Sequence, residues 1–159
     1  VVQRRPETRF LIVGDGQGRA ALEKEIEIRG LRQVFLLPGW RQDMAAILDR
    51  TDLFCMTSLW EGLPMALIEA MASGLPSVVN AVDGCRDVIE NGENGFLTPP
   101  WDPDATAQKL ILLLEDPILA QQMGKKARES IGREFDISTM LQEHERLYEV
   151  LFQTRQPVS

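Results

Sequence analysis

Short apolar runs alternate with longer stretches in which apolar residues recur every three or four positions. Phe10-Leu11-Ile12-Val13, Val34-Phe35-Leu36-Leu37, Leu53-Phe54-Cys55-Met56 and Ser77-Val78-Val79 each border Gly, Pro or small polar residues, and Phe96-Leu97 follows Asn94-Gly95. A strand with one wet face would alternate polar and apolar positions. Runs apolar on both faces predict parallel strands covered by helices. Between the runs, the spacing predicts helices over 19–29, with Leu22 and Ile26 on one face, and over 43–48, 65–73 and 85–90. Gly74 is placed to cap the third of these.

Beyond residue 102 the pattern is helical throughout. Helices are predicted over 104–115, 117–133 and 137–152, with Pro117 in a first turn and a stripe of Leu141, His144, Tyr148 and Leu151 on the last. His144 is expected to be half-buried there as a packing residue. The order βαβαβα predicts an α/β fold, a doubly wound parallel sheet with right-handed crossovers. Residues 1–153 form one expected domain and 154–159 a frayed tail. The opening is unusual, because such a domain starts with a strand near the middle of its sheet. Here residues 1–5 read as a helix end, so the expectation is that a first strand and helix are missing ahead of Val1.

Composition narrows the function. A length of 159 residues suits one domain, and a formal charge of −7 disfavours nucleic acid, whose phosphates need clustered cations. No apolar run approaches the roughly 20 residues of a membrane-spanning helix, and residues 1–6 have no apolar core of a secretory signal. The expected location, cytoplasmic, follows from the cysteines. Cys55 and Cys85 fit neither a disulfide framework nor a metal spacing, and both are expected to be reduced and buried. The single histidine excludes a histidine-rich metal site, and no metal site is expected.

The chemistry lies in Ser58-Leu59-Trp60-Glu61-Gly62-Leu63-Pro64-Met65-Ala66-Leu67-Ile68-Glu69, which follows a strand and opens a helix. The turn points helix-start amides toward the carboxyl edge of the sheet, where amides and the helix dipole attract an anion. Glu61 in the turn and Glu69 on the helix cannot bind phosphate. They are suited to accepting hydrogen bonds from hydroxyls on either side of a diphosphate.

This E-x7-E pattern, with its flanking SLWEGLPMALIEAMASGLPSVV, resembles the signature of retaining glycosyltransferase family 4. FLIVGDGQGRAALEKE, VFLLPGWRQD and VIENGENGFLTPPWDPDATA are further matches, so the resemblance covers nearly the whole chain. It implies the nucleotide-sugar-binding, carboxy-terminal domain of a GT-B enzyme, acting without cofactor or metal on a UDP- or GDP-sugar. Glu61 would be the catalytic residue, contacting hydroxyls of the donor hexose, and Glu69 would bind ribose hydroxyls. The backbone of Gly62, Leu63, Pro64, Met65 and Ala66 would face hexose and diphosphate. Gly14 and Gly16 would border the pocket, with Gly39, Trp40 and Arg41 near the nucleobase.

The resemblance also implies an amino-terminal acceptor domain, and a donor-phosphate Arg and Lys, all upstream of Val1. The missing first strand would lie between 10–13 and 53–56, leaving either a slot or a collapse there. A membrane surface stays open as a contact of the parent protein, which is expected to be the active enzyme, the fragment alone being inactive. Blander readings weigh against each residue. Glutamates are usually surface carboxylates, Trp40 and Trp60 could simply pack, and Arg41 could be solvated. Gly14-Asp15-Gly16-Gln17-Gly18 could open a dinucleotide loop, but G-x-G-x-x-G requires glycine where Arg19 stands. A dinucleotide-dependent oxidoreductase and a non-catalytic GT-B-like scaffold are the alternative classes.

Overall fold

The computed structural model describes residues 1–132 and 135–154. Strands and helices alternate as β1 (Phe10–Val13), α1 (Arg19–Ile28), β2 (Phe35–Gly39), α2 (Met44–Leu48), β3 (Phe54–Met56), α3 (Met65–Ala72), β4 (Ser77–Asn80), α4 (Asp83–Arg86) and β5 (Phe96–Thr98). Three helices follow: α5 (Pro103–Glu115), α6 (Pro117–Ser130) and α7 (Ile137–Thr154). Every strand pairing is parallel. The pairings form two sheets, β1-β2 and β3-β4-β5. One edge of β1 and one edge of β3 therefore carry no ladder among the described residues, and this division falls between the strands where an interruption was expected. Phe10 and Leu53, which flank it, pack against the same core cluster.

The double winding is visible in β4. Side chains alternate across a strand, so the fully buried Val78 and Val79 enter different cores. Val79 joins Leu67 and Met71 of α3, Cys85 of α4 and Ile89. Val78 joins Phe96, Leu110, Leu113 and Met123, from β5, α5 and α6. In the smaller sheet, Phe10 and Phe35 are cross-strand partners whose rings stack at 4.8 Å.

Helix ends follow local chemistry. Asp102 and Asp116 cap α5 and α6 by accepting from the amides of Ala105 and Leu119, each at 2.9 Å, and proline opens both helices. Gly74 ends α3 with φ of 79°, its amide bonded to Met71 and that of Leu75 to Ala70, a Schellman motif. Its carbonyl lies where a Cβ on Gly124 would sit, at 2.1 Å, so α3 and α6 touch backbone to backbone.

Several expectations change. The helix predicted over 85–90 is instead the earlier and shorter α4, which starts at Asp83 after the extended Val82 and stops at Arg86. The helix predicted over 117–133 ends at Ser130, because Ile131 is already extended, with φ of −79° and ψ of 95°. Residue 133 lies outside the described residues, as does the tail apart from Thr154, which ends α7. Cys85 is buried but Cys55 is exposed. Phe54 and Met56 pack on the first core, and Cys55, on the opposite face of β3 in register with Val78, belongs to neither core cluster. The stripe on α7 is not a packed face: Leu141, Tyr148 and Leu151 are at least half exposed, and no core cluster includes an α7 residue. His144 is exposed as well, its Nδ1 2.8 Å from the Met140 carbonyl. No described helix is long and apolar enough to cross a membrane.

Candidate functional site

Parallel strands present their carboxyl ends on one edge, and each candidate segment follows a strand: Gly14 and Gly16 after β1, Trp40 and Arg41 after β2, and Glu61 after β3. Gly14 and Gly39 are brought together directly. The Gly14 amide donates to the Gly39 carbonyl at 2.9 Å, and both residues have positive φ, 117° and 77°, which favours glycine. The Asp15 carboxylate accepts from the Gly16 amide at 2.8 Å, tightening the same turn. Arg19 braces it, with Nη2 donating to the Leu37 carbonyl at 3.0 Å and Nη1 3.7 Å from Asp15. Arg19 replaces the glycine that a dinucleotide loop would need, and in exchange ties α1 to the end of β2.

Trp40 is 79% exposed, so its ring does not pack. Arg41 donates from Nε and Nη2 to the two oxygens of Asp43, at 2.8 and 2.5 Å. That fork holds the Asp43 carboxyl below its ordinary value. Arg41 is thus engaged on its own loop.

The segment after β3 is clasped by β4 and α4. Asn80 Nδ2 donates to the Ser58 carbonyl at 3.1 Å, and the Gly84 amide to the Glu61 carbonyl at 3.2 Å. A Cβ on Gly84 would sit 2.2 Å from the Gly62 carbonyl oxygen, so only glycine permits this approach. Pro64, buried, precedes α3. The Met65 amide is taken by the Leu63 carbonyl at 2.9 Å. Among the described residues, the amides of Gly62, Leu63 and Ala66 carry no hydrogen bond, which leaves three donors at the helix start.

Glu61 is half-buried and lines a cavity of about 260 Å³ with Leu59, Trp60, Ala81, Val82 and Asp83. Burial first, and the Glu61 charge second, push the thiol of neighbouring Cys85 up to about 11. Glu69 is exposed on α3 and does not line this cavity, nor do the glycines after β1 and β2. The structure therefore places the glycines, Trp40, Arg41 and Glu61 after strand carboxyl ends, in two groups, one around Gly14 and Gly39 and one around Glu61, while Glu69 stands apart on α3. Asn80, Asp83, Gly84 and Arg19 were missed from sequence. The Asp83-Gly84 pair, separated from the end of a strand by two residues, was the one available signal.

Comparison with known proteins matches this arrangement. A family model described as "Glycosyl transferases group 1" matches residues 1–130. A relative from Escherichia coli, named UDP-Gal:alpha-D-GlcNAc-diphosphoundecaprenol alpha-1,3-galactosyltransferase, is 35% identical over 90% of this chain and 37% of its own length. A sucrose-phosphate synthase from Thermosynechococcus elongatus superposes with a TM-score of 0.88 at 26% identity, over 96% of this chain and 41% of its own. Anabaena HepE in complex with UDP-glucose superposes with a TM-score of 0.86 at 27% identity, over 93% of this chain and 43% of its own. The chain thus spans about two fifths of each of these three proteins, and its parallel sheets and covering helices are those of a GT-B Rossmann-like carboxy-terminal domain. With the family model covering the fold from β1 to α6, the chain belongs to the group 1 glycosyl transferases.

Proposed function

We propose that the chain binds the nucleotide-sugar donor of a retaining, metal-independent hexosyltransferase of family 4. The observation that carries this is the β3–α3 turn: three open amides stand beside Glu61, whose side chain lines a cavity at the carboxyl edge of the sheet. Open amides at a helix start suit a diphosphate, and a carboxylate at the cavity wall suits sugar hydroxyls. The HepE neighbour, crystallised with UDP-glucose, supports the same ligand class.

Glu61 is the residue facing the hexose, and Glu69 takes the ribose hydroxyls. The backbone of residues 62–66 stabilises the diphosphate as it leaves, by fixed dipoles that need no reorganisation. Gly14, Gly16 and Gly39 border the nucleotide, and Trp40 with Arg41 flanks the base. The nucleoside diphosphate leaves from the face on which the acceptor hydroxyl arrives, so the anomeric configuration is kept. The acceptor is bound by another part of a longer protein, and this chain alone transfers no sugar. The test is calorimetric titration of the full-length protein with UDP- and GDP-sugars. Saturable binding of one series is expected, and binding of neither would overturn the reading.

A further inference from the structure

Asp83 belongs neither to the E-x7-E segment nor to the amide turn, yet it shares the cavity with Glu61. It is the first residue of α4, and the next residue, Gly84, is anchored on the Glu61 carbonyl at 3.2 Å. Bond lengths then put the Cα atoms of Glu61 and Asp83 no more than about 8 Å apart. Neither carboxylate takes part in an ion pair among the described residues. Arg86, the cation on the same short helix, donates from Nε to the Ala81 carbonyl at 2.9 Å. Trp60, 84% exposed, lines the same cavity. An aromatic face suits the C–H side of a pyranose, and carboxylates suit its hydroxyls. A pyranose bearing its own carboxylate would instead enter against two like charges.

We propose that Asp83 sets the charge selectivity of the donor sugar: with Glu61 and Trp60 it admits a neutral hexosyl group and rejects a uronosyl group. The inference rests on the donor-binding reading above and adds the class of sugar. Removing one like charge several ångströms from the sugar carboxylate should change relative affinity about tenfold, ~1.4 kcal/mol.

The experiment compares a neutral and a carboxylate donor that differ at one carbon. UDP, UDP-glucose and UDP-glucuronate are titrated against the full-length protein and its Asp83→Asn variant, with GDP, GDP-mannose and GDP-mannuronate in parallel. The unsubstituted protein is expected to bind the uronosyl donor at least about tenfold more weakly than the neutral one. Asp83→Asn should narrow that gap about tenfold and leave the affinity for the bare nucleotide unchanged, which also reports that the variant is folded. A gap that is absent, or that Asp83→Asn leaves within about twofold, overturns the charge-selectivity proposal while bare nucleotide still binds. Failure of both nucleotides to bind the unsubstituted protein overturns the donor reading and this inference with it. Should Asp83→Asn lose the nucleotide as well, Asp83→Glu decides: it keeps the charge, and must restore both nucleotide affinity and the tenfold gap.

Discussion

Glu61 and Glu69 occupy different surroundings, so their loss should be felt at different steps. Glu69 is exposed on the first turns of α3 and is assigned to the ribose, which both donor and product nucleotide carry. In the full-length protein Glu69→Ala should weaken nucleoside diphosphate binding by about 1.5–3 kcal/mol, roughly 10- to 150-fold. Glu61 lines the cavity assigned to the hexose, which the product nucleotide lacks. Glu61→Ala should therefore depress turnover more than nucleoside diphosphate affinity. Equal losses of UDP or GDP affinity in the two variants would contradict the assignment. Cys85 gives an independent reading of the same neighbourhood. Its thiol is pushed up to about 11 from 9.0 by burial and then by Glu61, so the protonated form is favoured in the folded state. The resulting stability is complete below pH about 9, is lost as the unfolded chain ionises first, and is gone above about 11. Unfolding free energy should accordingly fall across that window, and less so in Cys85→Ala. Desolvation by neighbouring protein pushes the Cys55 thiol up to about 11 as well, so the two differ in access alone. A thiol reagent at about pH 8 should label the exposed Cys55 slowly and Cys85 more slowly still.

Elements meet at two points where only glycine fits, and the two should separate site from scaffold. Gly84 lets α4 approach the Glu61–Gly62 turn, and Gly124 lets α6 approach the end of α3. An added Cβ would meet backbone oxygen at 2.2 Å in the first case and 2.1 Å in the second, and backbone cannot swing aside as a side chain can. Each alanine substitution should cost about 1–3 kcal/mol, a fall of several degrees in Tm. Gly84→Ala should in addition weaken nucleotide-sugar binding, because it displaces the turn that carries Glu61 and the open amides. Gly124→Ala should leave the affinity of the folded protein unchanged. Calorimetry and thermal melts on both variants check this, and an affinity loss confined to Gly124→Ala would refute it.

The whole molecule leaves apolar surface uncovered in two places. One is the smaller sheet, where β1 offers an edge toward the division and the cross-strand partners Leu11 and Leu36 are 45% and 56% exposed. The other is α7, where Ile137, Tyr148 and Phe152 are 67–72% exposed. Unpaired strand edges template further pairing, and a contiguous apolar face seeks cover. The isolated chain should therefore self-associate, and sedimentation velocity over a range of concentrations should show species larger than 17.9 kDa. A strictly monomeric chain that melts cooperatively and transfers sugar unaided would refute both this and its assignment as a donor-binding part.

Local rules in the sequence determined the elements. Apolar runs on both faces gave the parallel strands, Pro117 and Gly74 marked a helix start and a helix end, and the E-x7-E spacing placed one carboxylate in a turn and one on a helix. Each follows from backbone sterics or side-chain periodicity within a few residues. Tertiary structure alone decided which residues became neighbours. It set Asp83 beside Glu61, braced the Gly39 turn with Arg19, and buried Cys85 while leaving Cys55 exposed. Periodicity could find the stripe on α7 but not whether anything covers it, and His144 was misplaced for that reason. A residue's own element fixes the direction of its side chain. Strand order and helix packing, set by contacts far apart in the chain, fix what that side chain meets.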